Sequence, residues 1–161
     1  MGAQRRVDHV SNLVWLSLGG LIGGLLLGMS RGFEALLQAG RIEAIPALVG
    51  VQARACAPLW AVSRYGSEGL GWVTEGETLA EGVRVRFPLR GDAVLRAVES
   101  SGGRFVAVDE SEILPGRDEI SRRGFYVEAT SALVWNALAQ VQGDTPEPIV
   151  AILTGSGLKN Q

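Results

Sequence analysis

Two short segments of the sequence carry residue types from which a small-molecule site could be built. One is the glycine-rich run of residues 19–24, which follows an apolar stretch and precedes residues with helical spacing. The other is TGSG, residues 154–157, directly after the apolar stretch PIVAIL. A glycine turn at a helix start presents backbone N–H groups to anions, and the second segment adds hydroxyls. Neither segment is specific alone, because the first lacks both the GxGxxG spacing and the P-loop lysine.

The sequence contains few residues that are suited to other kinds of catalysis. The chain has one histidine, His9, and one cysteine, Cys56, far apart in sequence, so neither a metal site nor a disulfide framework is predicted. We expect His9 to be exposed ahead of the first strand and Cys56 to be a small packed residue at a helix start. Fourteen of the fifteen basic residues are arginine, and the one lysine is Lys159.

Length and charge place the chain among ordinary globular domains. Its 161 residues predict one domain, with 47% apolar and 20% charged residues. The net charge of -2 gives no polybasic surface for nucleic acid or anionic lipid. We therefore expect no nucleic-acid partner and no membrane partner.

Apolar runs alternate with helical spacing along the whole chain. Strands are predicted at residues 13–18, 47–53, 104–109 and 148–153. Helices are predicted at residues 25–38, 58–65, 93–101 and 131–142, with a further helix from residue 110 to 124. The strands are continuous apolar runs, which favours an α/β fold of three layers: a mainly parallel sheet with helices on both faces. Ligands in such sheets bind beyond the carboxyl ends of the strands, where both segments lie.

Several residues predict how the helices begin and end. Asp92 is a plausible N-cap for the helix of residues 93–101, and Asp109 with Glu112 predicts a capping box for the next helix. Pro115 with Gly116 predicts an early interruption of that helix.

The sequence also resembles a known enzyme family. RRGFYVEATSALVWNAL followed by PIVAILTGSGLK resembles the C-terminal region of threonine synthase, and more broadly the fold-type II pyridoxal-phosphate (PLP) enzymes. TLAEGVRVRFP, residues 78–88, is similar to the family's T-[IL]-A-x-[GA] stretch. Residues 25–59 resemble the helix and strand that follow the family's phosphate loop. The resemblance covers roughly residues 23–159 and implies that the chain is part of the large domain of such an enzyme.

The resemblance implies roles for particular residues. The hydroxyl of Thr154 would face the pyridine nitrogen of PLP, with Gly155 beside it. Gly23 and Gly24 would bind the cofactor phosphate. Glu81, in a segment beside the cofactor, is a catalytic candidate, and a solvated loop carboxylate is the alternative. No metal ligand is implied.

The family's Schiff-base lysine lies in an N-terminal half that residues 1–161 lack, and Lys159 matches a different, terminal lysine. The resemblance thus implies the C-terminal part of a cytoplasmic PLP-dependent lyase that converts O-phosphohomoserine and water to threonine and phosphate. Such a chain would be incomplete or inactive alone, with weak or absent PLP binding. Its expected partners are an amino-acid-like substrate and either a complementing N-terminal half or further copies of itself.

Two other interpretations stay open at the level of sequence. The chain could be a non-catalytic binding or regulatory remnant of the same fold. It could also span a membrane once through residues 13–29, which are uncharged and have glycines at small-xxx-small spacing. Against the membrane interpretation, we expect a buried strand, a glycine turn and a helix, because glycines inside a water-exposed helix each cost about 1 kcal/mol.

Overall fold

The computed structural model describes residues 13–17, 23–141 and 148–160, with side chains at residues 23–141 and 148–158. The strands are β1 (Leu13–Ser17), β2 (Leu48–Ala53), β3 (Arg104–Val108) and β4 (Ile149–Ile152). The helices are α1 (Gly24–Gln38), α2 (Pro58–Tyr65), α3 (Gly91–Ser100), α4 (Glu110–Arg122) and α5 (Ala129–Val141). Each lies within a few residues of its predicted range.

The four strands form one sheet in the order β3-β2-β1-β4, and all three pairings are parallel. In the register, Leu16 of β1 lies between Gly50 of β2 and Ile152 of β4. The predicted parallel sheet is therefore confirmed.

Two separate buried clusters cover the two faces of the sheet. Val49 and Val51 of β2 pack in one cluster with Leu133 of α5, and α4 contributes to the same cluster. Leu48, whose side chain points to the opposite face of β2, packs in the other with Leu26 of α1, and α2 and α3 contribute there. Helices on both faces of a parallel sheet confirm the predicted three-layer α/β fold. They also explain why β2 and β3 are apolar without alternation, whereas β4 at the edge of the described sheet is partly exposed.

The early interruption predicted for α4 is wrong, because the helix continues through Pro115 to Arg122. A proline removes one backbone donor but leaves the other helical hydrogen bonds in place. Close packing of α4 on α5 supports the helix next to the proline: the side-chain amide of Asn136 donates to the carbonyl of Glu112 at 2.8 Å. Gly116 makes the approach possible, since a Cβ there would overlap the Asn136 amide.

Both predicted side-chain caps are also wrong. Helix α3 begins one residue before Asp92, because Gly91 N–H donates to the carbonyl of Pro88 at 2.9 Å and starts the turn early. Asp109 does occupy the N-cap position of α4, but its carboxylate makes no capping hydrogen bond. It pairs instead with the guanidinium of Arg54, which follows the neighbouring strand β2.

The opening segment has the predicted strand and helix, since β1 ends at Ser17 and α1 begins at Gly24. The glycine turn between them falls largely on residues 18–22, outside the described part of the chain. Among the described residues, no helix combines the length and the apolar character that crossing a bilayer requires.

Candidate functional site

The site lies between β1 and β4, where the order in which the chain adds strands to the sheet changes direction. From β1 the chain passes through α1 on one face to reach β2, and it later passes through α5 on the opposite face to reach β4. Strands β1 and β4 are adjacent and parallel, and the segment after β1 enters α1 on one face whereas the segment after β4 packs on α5 of the other face. This is the topological switch point at which open α/β sheets bind ligands, beyond the carboxyl ends of the strands.

The segment after β4 is held firmly on the first turn of α5. The buried Oγ of Ser131 accepts the backbone N–H of Thr154 at 3.2 Å and that of Gly155 at 2.9 Å. The carbonyl of Gly155 in turn accepts the backbone N–H of Glu128 at 3.1 Å. Thr154 itself is exposed, whereas Gly155 is buried. The backbone is thus fixed while the threonine side chain remains accessible.

A second set of contacts extends this attachment along the chain. Val127 and Ser156 form an isolated antiparallel bridge, and the N–H of Gly157 donates to the carbonyl of Tyr126 at 3.1 Å. A Cβ at position 155 would overlap the carboxylate of Glu128, so glycine lets this side chain lie directly against the TGSG backbone. The two segments VEATSA and TGSG, far apart in sequence, are therefore one local structure.

The start of α1, after the adjacent strand β1, provides backbone N–H donors that have no acceptor within the helix. Gly23 adopts the left-handed conformation, with φ 64° and ψ 19°, and no side chain caps the helix. The first N–H to bond back within the helix is that of Leu27, to the carbonyl of Gly23 at 3.0 Å. The N–H groups of residues 24–26 have no acceptor in the helix, and a Cβ on Gly24 would meet nothing within 4 Å. Such a terminus favours an anion.

The segment TLAEG approaches the start of α5 from another side. Thr78 is buried, and its Oγ1 accepts the N–H of Ala80 at 3.0 Å. Gly82 packs so closely on α5 that a Cβ there would lie 3.0 Å from Thr130 Oγ1. Glu81 between them is exposed and contacts Arg84 at 3.3 Å. Its catalytic role stays a prediction.

Two polar arrangements at this edge of the sheet escaped the sequence analysis. The sequence analysis includes Ser131 only within the stretch that carries the family resemblance. A serine among the mostly small and apolar residues of ATSALV is nevertheless a signal for a buried hydrogen bond. The other is Arg54, which contacts Asp109, donates from Nη2 to the carbonyl of Ala107 at 3.0 Å and lies 4.7 Å from the ring centroid of Trp60. Arg54 thereby ties the end of β2 to the end of β3.

The other candidate groups lie apart from this arrangement or outside the described residues. Cys56 ends a short 3-10 turn after β2 and is fully buried, as the sequence predicted. His9 falls outside the described residues, and Lys159 lies in the 3-10 helix Gly157–Asn160. Within the described ranges, no cluster of His, Cys, Asp and Glu could hold a metal ion.

Comparison with known proteins identifies related sequences. The family model described as "Pyridoxal-phosphate dependent enzyme" matches residues 4–155, which extends the match to β1 and the glycine run. A threonine synthase from Methanocaldococcus jannaschii is 31% identical over 142 residues, covering 85% of this chain and 35% of the relative. A threonine synthase from Mycobacterium bovis is 31% identical over 136 residues, covering 81% and 35%. The chain thus spans about a third of the length of these curated relatives.

Among solved structures, a threonine deaminase described as coming from T.th. superposes with a TM-score of 0.65 at 23% identity. The match covers 94% of this chain and 50% of that one. At this identity the likeness shows the fold, which is that of the deaminase over nearly all of the present chain.

The buried thiol of Cys56 leads to a pH-dependent prediction. Burial, followed by the nearby carboxylate of Glu75, raises its pKa above the usual 9.0. The neutral thiol therefore favours the folded chain fully below pH 9, and this contribution is lost as pH rises through the folded pKa. Urea unfolding at pH 7 and pH 10 should show a smaller alkaline loss of stability for Cys56→Ala than for the unchanged chain. An equal loss in both would contradict the assignment.

Proposed function

Because the chain belongs to the pyridoxal-phosphate dependent enzyme family, we propose that it forms the cofactor-holding part of a threonine-synthase-like lyase. The proposed reaction converts O-phosphohomoserine and water to threonine and phosphate. The observation that carries the proposal is the placement of two complementary groups at the switch point. An exposed hydroxyl, that of Thr154, follows β4, and an uncapped helix start at Gly23 follows the adjacent β1.

These groups suit the two polar ends of PLP. The phosphate would accept from the backbone N–H groups of Gly23 and Gly24, where the helix dipole also favours negative charge. The ring nitrogen would face the hydroxyl of Thr154, and Gly155 would fix the backbone beside it. When bound, PLP supplies an electron sink for the carbon skeleton of an amino acid.

The type of group facing the ring nitrogen bears on the reaction. A threonine hydroxyl is neutral and has a pKa far above 7, so it leaves a nitrogen partner mostly unprotonated. A carboxylate at this position would instead hold a proton on the nitrogen. The neutral partner suits β- or γ-elimination and replacement, the class to which the threonine synthase reaction belongs. Glu81 is the candidate for proton transfer at the rim of the site.

The lysine that this chemistry requires is proposed to come from protein outside the 161 residues. Lys159 is the one lysine in the sequence, and it lies in the short helix after the TGSG segment. The curated relatives are about three times as long as the matched region, which covers 35% of each. We propose a complementing N-terminal half, or further copies of the chain, as the protein partner.

The surface supports contact with further protein. Trp72, Phe87 and Leu89 are 65%, 76% and 87% exposed. Phe87 and Leu89 line an apolar groove with Pro58, Leu70 and other residues of α2 and the following loop. Clustered apolar exposure of this kind marks interaction surfaces more often than free surface.

A second candidate function is a binding protein of the same fold without catalysis. The single lysine favours it, because PLP enzymes hold their cofactor covalently on a lysine. Both candidates share the cofactor site, and they differ in whether the chain supports turnover.

Replacing Thr154 with Val tests the shared cofactor site. The change preserves shape and removes the hydroxyl, so we expect affinity for PLP to fall by up to about tenfold, the value of one hydrogen bond. The absorption spectrum of the bound cofactor should shift as well. Thr74→Val is the matched control, because Thr74 is an exposed threonine in a loop away from α5. Titration of the tryptophan fluorescence measures the affinity for PLP. The proposed site is refuted if the unchanged chain, Thr154→Val and Thr74→Val all have the same affinity and the same cofactor absorption spectrum.

Borohydride treatment tests a premise that both candidate functions share, namely that the 161-residue chain does not itself supply the Schiff-base lysine. We expect PLP mixed with the 161-residue chain to be removed by dialysis even after reduction, because Lys159 matches the family's terminal lysine and not its Schiff-base lysine. Peptide mapping by mass spectrometry measures the fixed cofactor, with Lys159→Arg as the control. A stoichiometric adduct on Lys159, together with phosphate release from O-phosphohomoserine, would show instead that the chain is a complete catalyst.

A further inference from the structure

The side-chain hydroxyl of Ser131 lies within hydrogen-bond distance of three polar groups, an unusual number for a single hydroxyl. Its side chain is fully buried in the first turn of α5. The Oγ receives two backbone N–H groups, from Thr154 at 3.2 Å and from Gly155 at 2.9 Å. It also lies 3.4 Å from Oγ1 of Thr154, a pair in which either oxygen could be the donor by distance alone.

Counting donors and acceptors decides the direction of that last contact. A serine hydroxyl has one hydrogen and two lone pairs. The two N–H groups occupy both lone pairs of Ser131 Oγ, so a third donor from Thr154 would have no lone pair to meet. The hydrogen of Ser131 is the group that remains, and Thr154 Oγ1 is the acceptor that faces it.

We propose that Ser131 is a positioning residue that turns the hydroxyl hydrogen of Thr154 away from α5 and toward the ligand. Because Thr154 Oγ1 accepts from Ser131, its own hydrogen is free to point outward, and Thr154 is the exposed member of the pair. The site then presents a hydrogen-bond donor to whatever binds there. It prefers a ligand with an acceptor, such as a neutral ring nitrogen, to one with an N–H or C–H group at that point.

The identity of the acceptor as the PLP ring nitrogen rests on the proposed function, but the direction of the hydrogen bonds does not. The direction follows from four groups of this chain and requires no ligand. Burial also fixes it, because Ser131 has no water to exchange partners with. A hydroxyl that could rotate freely would serve acceptors and donors alike.

The first arm of the test examines the hydrogen-bond direction in the 161-residue chain alone. We expect NMR to show a slowly exchanging hydroxyl hydrogen on Ser131, close to the Thr154 side chain, and protected amides at Thr154 and Gly155. Thr154→Val should speed exchange of the Ser131 hydroxyl at least tenfold, since its acceptor is lost. A protected hydroxyl on Thr154 directed at Ser131, or no effect of Thr154→Val, would overturn the proposal.

The second arm measures ligand preference with two probes, PLP and its deaza analogue, in which C–H replaces the ring nitrogen. We expect the unchanged chain to prefer PLP by about tenfold and Ser131→Ala to lose most of that preference. Ser131→Thr, which retains a hydroxyl, should restore it, and Ser121→Ala, a serine bonded within α4, should leave it unchanged. A purely structural role would weaken both probes equally in Ser131→Ala and would contradict the positioning role. Failure of the unchanged chain to bind PLP would refute the proposed function, and the first arm would still decide the hydrogen-bond direction.

Discussion

The attachment of residues 154–157 to the first turn of α5 is the contact on which the site depends. One buried oxygen, Ser131 Oγ, accepts two backbone N–H groups, and that of Gly155 would otherwise be buried without a partner. Leaving a buried donor unsatisfied costs roughly 1–3 kcal/mol, so the loop has little freedom to move away. The rest of the segment is consistent with this constraint: Gly155 leaves room for the side chain of Glu128, and Thr154 is exposed on a fixed backbone.

The layered fold brings the other parts of the site to the same edge. Parallel strands end together, and α5 runs back against them, so its first turn lies beside the ends of β1 and β4. Helix α1 follows the neighbouring strand β1, and its glycine start contributes backbone N–H groups as donors. Donors from a hydroxyl and from a helix terminus are thus placed on rigid elements. This arrangement explains how a chain with few titratable groups at this edge could form the binding site for an anionic cofactor that we propose.

The sequence predicted the sheet and most helix boundaries because those depend on local properties. Short continuous apolar runs that alternate with helical spacing favour strands in a covered parallel sheet, and the helix predicted from Pro58 begins at that residue. The errors arose where a distant residue competes with a local rule. Asp109 would cap α4 if Arg54 were not beside it, and Pro115 would end α4 if α5 did not pack against Gly116. Ser131 was missed for the same reason, since its partners lie more than twenty residues away.

The central claim is that the edge formed by β1, β4 and α5 holds PLP between the start of α1 and Thr154. A crystal structure of the 161-residue chain grown with saturating PLP tests it most directly. The account predicts cofactor density at this edge, with the phosphate against the N–H groups of Gly23 and Gly24 and the ring nitrogen within hydrogen-bond distance of Thr154 Oγ1. Density at another surface, such as the groove near Phe87, or no cofactor density at all, would contradict it.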